Sequence, residues 1–266
     1  YAIVASFIPE EAKAGEKYIA RFEKHLINEG LTLSAKREVP MNREHFGVVA
    51  TTQQLPIMQF LVLRPTDMPS AKFEAALLRF QTRMDYETLK STWDLEKKPS
   101  IISAEPDGNV IYKGIMAPSD LANAFPDLKD PLCKASRGLV HDRFCTNAPK
   151  GLDKIQPLSI IANNGEMNSL SSLYQFMTND SSFLDFLGLE ESAKLWDETL
   201  EGEVPLSDSY MLSVYLRYLL ATQPEKSFVD HIASLIPNVV NKQEDPERYL
   251  STFLAAVNYV GPLAGV

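Results

Sequence analysis

Strand-like runs in this chain stop at Ala162, and after it the pattern is helical. No other feature limits the fold as strongly. Strands first and helices later, with hairpin signals instead of regular crossovers, lead to an α+β fold or a layered αββα fold and away from a doubly wound parallel sheet. Tyr1 to Ile8 reads as a buried strand, a short apolar run closed by Pro9. Pro9 stands where helices like to begin, and Glu10 and Glu11 suit a helix N-terminus. The helix that follows carries Tyr18, Ile19, Phe22 and Leu26 on one face and stops at Gly30.

Leu31 to Val39 alternates apolar and polar residues, as a half-buried strand does, and Pro56 to Leu63 is a further strand, closed by Pro65 and Pro69. Phe73 to Tyr86 is helical, with Phe73, Leu77, Phe80 and Met84 as a core stripe; Trp93 to Ser100 is polar and loop-like. Ser100–Ser103 and Val110–Lys113 flank Asp107-Gly108-Asn109, a hairpin signal. Asp120 to Ala124 starts a short helix, interrupted by Pro126 and Pro131. Later helices are expected over 169–176, 181–186, 190–196, 228–236 and 246–257. The strongest is 209–221, with Met211, Leu212, Tyr215, Leu219 and Leu220 as its buried face. No linker or repeat divides the chain, so residues 1–266 are expected to form one domain.

Charge and composition remove several function classes. A net charge of −9 argues against a nucleic-acid or anionic-membrane surface. No apolar run reaches the length of a membrane span, and no signal peptide is visible. Two cysteines, Cys133 and Cys145, are too few for a disulfide framework and fit a reducing, cytoplasmic compartment; both read as structural residues. The histidines, at 25, 45, 141 and 231, lack metal-ligand spacing, so no metal is expected. No flavin, iron–sulfur or nicotinamide motif is present, so no cofactor is expected in this chain.

Two apolar runs, Gly138-Leu139-Val140 and Leu158 to Ala162, each lead into a polar cluster. The first cluster is His141-Asp142-Arg143-Phe144-Cys145-Thr146-Asn147, and the second is Asn163-Asn164-Gly165-Glu166-Met167-Asn168. Short apolar runs bounded by turn residues read as buried strands, so both clusters are expected at one edge of a sheet. Arg143 would bring a planar fork able to grip a carboxylate through two hydrogen bonds. Asn164 would bring a side-chain amide and Gly165 an approachable backbone N–H, the parts of an oxyanion hole. Such a site suits an amino acid with a reactive side-chain carbonyl. Taken alone, Asn-Gly is more often a tight turn.

These clusters resemble the amidotransferase domain of glutamate synthase, a class II glutamine amidotransferase with the N-terminal-nucleophile hydrolase fold. That family reads His-Gln-Arg-Tyr-Ser-Thr-Asn and then Ala-His-Asn-Gly-Glu-Ile-Asn. Phe7-Ile8-Pro9, Ile111 to Met116, Phe125 to Leu128, Ser207-Asp208-Ser209, Leu235-Ile236-Pro237 and Asp245 to Arg248 follow the family in order. The resemblance implies a four-layer αββα fold and hydrolysis of glutamine to glutamate and ammonia for a synthase domain or subunit. It assigns Arg143 to the glutamine α-carboxylate, Thr146 to holding the substrate, Asn164 and Gly165 to the oxyanion hole, and Asp208 to the α-amino group. Asp208 before a helix also reads as an ordinary cap. His141 and Glu166 are expected to orient loops, and Cys145 stands at a family Ser that does not attack.

In the family the nucleophile is an N-terminal Cys, whose amine acts as base. Tyr1 matches a strand inside that domain, so the chain is expected to be its central part, incomplete at both ends and inactive alone. Asp142, Phe144, Ala148 and Asn163 depart from the family pattern. A second reading follows from them: a degenerate amidotransferase that binds glutamine or glutamate, or only supports an assembly.

Overall fold

The computed structural model describes residues 1–89, 91, 97–106, 108–141, 152, 158, 160, 177, 179–188 and 208–235. Contacts group the chain into two units, residues 1–68 with 76–159, and residues 69–75 with 160–266. The architecture is α+β with an antiparallel sheet.

Four strands form the sheet of the first unit: β1 (Ala2–Phe7), β2 (Thr32–Glu38), β3 (Ile57–Leu63) and β4 (Ser100–Ser103), in the order β2-β3-β1-β4. Helix α1 (Ala12–Asn28) carries the chain from β1 to β2 past the place that β3 later fills. Since β3 is antiparallel to both neighbours, β1 and β2 run parallel and α1 is a crossover between them. The alternation seen in the sequence missed this crossover because the strand between them comes later in the chain.

The end of α1 shows why this segment folds locally. Gly30 takes φ 72°, its N–H meets the carbonyl of Ile27 at 2.9 Å, and the N–H of Leu31 meets that of Leu26 at 2.9 Å. That pair of bonds is a Schellman stop, which uses a residue free to adopt the left-handed region. Tyr18, Phe22 and Leu26 are buried and Ile19 is half-buried, so the apolar face is where the periodicity put it. Phe22 stacks on Phe60 of β3 at 3.9 Å and meets Phe80 edge-on at 4.7 Å. Phe80 belongs to α3 (Ser70–Leu89), whose Phe73, Leu77, Phe80 and Met84 are all buried as expected. One face of the sheet thus packs on α1 and α3.

On the other face Ala5, Phe7, Ile57 and Ile102 gather Val39, Phe46, Ala50, Leu55, Phe125 and Leu152. Ala50 comes from the short α2 (Val48–Gln53) and Ala124 from α4 (Leu121–Ala124), the short helix expected before Pro126. The second unit contains α5 (Ser181–Leu187), α6 (Asp208–Thr222) and α7 (Phe228–Leu235) among the described residues. All three were expected.

Four expectations are corrected. Segment 110–113 is not a strand: β4 pairs with β1, the only further pairing here is an isolated bridge from Ala2 to Pro106, and 110–113 binds by side chains instead. β2 is not half-buried. It is an edge strand whose Lys36, Arg37 and Glu38 are exposed, and only the flanking Leu31 and Val39 are buried. Gly138-Leu139-Val140 is not a buried strand; Leu139 and Val140 are 67% and 71% exposed in coil, because three residues with a glycine are too short to hold a ladder. Cys133, in the same exposed stretch, is a free surface thiol and fills no core. Helix α6 also differs from its reading as one-faced. Residues 211–219 are buried all round, while Leu220 is half-buried.

The expected strand at 158–162 and the helices at 169–176, 190–196 and 246–257 lie outside the described residues, except that Leu158 is buried.

Candidate functional site

Arg143, Thr146, Asn164 and Gly165 lie outside the described residues, as do Cys145 and Glu166. The frame on either side of the first cluster is described. His141 is half-buried, and Leu152 is buried in the core cluster beside Phe125 on the sheet face opposite α1 and α3. The segment that carries Arg143 and Thr146 is therefore anchored on its C-terminal side in that core.

A polar clamp holds the segments that lead toward it. Arg37 of β2 reaches Asp127 with two nitrogens, at 2.5 and 3.3 Å, and meets Gln59 Oε1 on β3 at 2.6 and 2.9 Å. Tyr112 donates to Asp127 Oδ2 at 3.0 Å. Burial pushes the Asp127 carboxyl up, but the hydrogen bonds from Arg37 and Tyr112 outweigh it and hold the carboxyl below its usual range. Burial, together with the Asp127 carboxylate, pushes the Tyr112 phenol up to about 12. So Tyr112 stays a donor and Asp127 an acceptor across the ordinary pH range. Tyr112 and Asp127 come from two of the segments that carried the resemblance, and the fold brings their side chains into contact. Next to Tyr112, Gly114 lies so close to Phe46, Gln54 and Met116 that a Cβ there would stand 2.7 Å from the Phe46 ring.

In the second unit, Asp208 is the first residue of α6. Seven and nine residues on, the same helix carries Tyr215 and Arg217. Tyr215 donates to Asp180 Oδ2 at 3.1 Å, and Asp180 Oδ1 caps α5 by accepting from the Phe183 N–H at 3.1 Å. Burial and the Asp180 charge push the Tyr215 phenol far up. Arg217 Nε donates to Glu74 Oε1 at 2.6 Å. Sequence reading missed both groups. Arg217 left a signal, a guanidinium between Leu216 and Tyr218 in an otherwise apolar helix, and a charge there must be exposed or paired.

Among the described residues no group of three or more His, Cys, Asp or Glu could hold a metal ion, and no helix is long and apolar enough to cross a membrane.

An α+β sheet covered by helices on one face and anchoring the Arg143 segment on the other, with the two polar clusters in order, defines a class of protein. The chain belongs to the class II glutamine amidotransferases, whose family model matches residues 1–259. Its similarity within that class runs to glutamate synthases. It is 27% identical over 252 residues to glutamate synthase (NADH) of Saccharomyces cerevisiae, covering 93% of this chain and 12% of that protein. It is 26% identical over 248 residues to ferredoxin-dependent glutamate synthase 2 of Synechocystis sp., covering 91% of this chain and 15% of the relative. With glutamate synthase (NADH) of Schizosaccharomyces pombe it shares 30% over 171 residues, 64% of this chain and 8% of that protein. The chain thus spans less than a sixth of the length of these relatives. It is a glutamine amidotransferase domain of a glutamate synthase-like protein.

Proposed function

We propose that this domain binds glutamine and prepares its side-chain amide for hydrolysis to glutamate and ammonia, the ammonia passing to a synthase partner. The observation that carries this reading is the match of the family over residues 1–259, within which Arg143 and the Asn164-Gly165 pair stand at the family's motif positions. Arg143 grips the α-carboxylate, Thr146 helps hold the substrate and Asp208 pairs with the α-ammonium group. Asn164 and the Gly165 N–H receive the oxyanion that develops as a thiolate attacks the amide carbon. The family's thiolate is an N-terminal Cys, and Tyr1 has no such group, so these residues bind and polarise without supplying the nucleophile.

The same reading makes the described sheet one half of a four-layer αββα sandwich. Its support is that α1 and α3 cover one face only, while Leu152, next to the Arg143 cluster, packs on the other. A reducing compartment, the cytoplasm, fits a chain with two cysteines of which Cys133 is a free thiol.

Titration with glutamine, beside thermal melts, tests the site. Arg143→Lys keeps the charge and loses the fork. Hydrogen bonds to charged groups contribute about 1.5–3 kcal/mol, so affinity should fall about tenfold to hundredfold with the melting temperature unchanged. Unchanged affinity removes Arg143 from the site. Tight glutamine binding without turnover in the full-length parent protein assigns the domain to the binding-module reading.

A further inference from the structure

Helix α6 is held by two polar contacts that the proposed chemistry does not use. Arg217 has 1% of its side chain exposed and meets Glu74, 143 residues away in sequence, at 2.6 Å. Tyr215 meets Asp180 at 3.1 Å. Two positions apart on a helix is about 200° of rotation, so the contacts act from opposite sides. A buried ion pair is a weak source of stability, because desolvation offsets its attraction and a well-packed apolar pair does as well or better. Its distinctive property is direction. Apolar packing around Met211, Leu212, Leu216 and Leu219 is non-directional and tolerates a small slide or turn of the helix, whereas a 2.6 Å hydrogen bond does not. The same helix begins at Asp208, nine residues or about 13 Å from Arg217.

We propose that Glu74–Arg217 and Asp180–Tyr215 are positioning pairs that fix the axial place of α6 and, through it, Asp208, so that the site selects ligands carrying an α-ammonium group. This inference rests on the proposed role of Asp208. It adds the residues that set the site's preference for an amino acid over the same molecule without its amino group.

The test compares the affinity of the 266-residue chain for L-glutamine with that for glutaramic acid, which has the same carboxylate and amide and no α-amino group. Asp208→Asn should lower the glutamine-to-glutaramate preference about tenfold or more, as loss of a charged hydrogen bond does. Glu74→Gln and Tyr215→Phe should each lower it at least threefold, with glutaramic acid bound as before. The pair Glu74→Leu with Arg217→Met keeps the volume filled and should show the same loss in a protein that melts no lower. A preference unchanged in all three of these, whatever the melts do, makes the contacts purely structural and overturns the proposal. A preference unchanged in Asp208→Asn removes Asp208 from the site. Absence of glutamine binding by the unmodified chain overturns the functional reading, and with it this inference.

Discussion

Asp127 shows how much one carboxylate can hold in place. It accepts from Arg37 on an edge strand and from Tyr112 in a coil, so three segments distant in sequence meet at one group. Because its pKa is lower folded than unfolded, the ionised form favours the fold. That contribution is complete above the ordinary carboxylate value of about 3.9 and disappears as pH falls through the lower folded value. Asp127→Asn should destabilise the chain by about 1–2 kcal/mol at neutral pH, the size of a charge-assisted hydrogen bond shared with a half-exposed arginine. Melts from neutral pH down to strongly acid should converge for the two proteins; a gap that stays constant would mean that the carboxylate charge has no part in it. His25 works in the other direction. Burial lowers its pKa despite Glu87 at 2.9 Å, so stability should fall as pH drops below about 6.5, where the unfolded chain takes up the proton first. His25→Gln should flatten that part of the melting profile.

Elements were legible in proportion to how locally they are determined. Helix α1 could be read from Pro9, one apolar face and Gly30, and each does in the structure what its chemistry suggests. The hairpin at 100–113 was read from turn chemistry alone and does not form, because β1 pairs with β4 and Tyr112 is drawn to Asp127. Close packing beside it is specific. Gly114→Ala would push a methyl group into Met116 and the Phe46 ring; Met116 can swing away, but Phe46 is buried edge-on to Phe125 at 5.9 Å. The cost should be about 1–3 kcal/mol, or several degrees in melting temperature for a chain of this size. A shift of less than a degree would show that the ring yields freely.

For the whole molecule, the expected signature of the proposed function is stabilisation by ligand. A ligand that binds only the folded state adds about 2.7 kcal/mol at a hundred times its dissociation constant. Glutamine at that excess should raise the melting temperature by several degrees, glutaramic acid at the same concentration by less, and Arg143→Lys should remove most of the glutamine effect. Equal shifts from both compounds would deny the α-amino group any part in recognition.

The order of residue types determined the family, the α+β class, the helices at 12–28, 70–89, 181–187 and 208–222, and which residue types could grip glutamine. These rest on local periodicity, on stop signals such as Gly30, and on motifs contiguous in sequence. Tertiary structure alone decided that β3 lies between β1 and β2, that β2 is an exposed edge, that Leu139 and Val140 face solvent, and that Arg217 finds Glu74. Each is a pairing between segments far apart in the chain. Burial and partner choice belong to that meeting, and no window of neighbouring residues contains it.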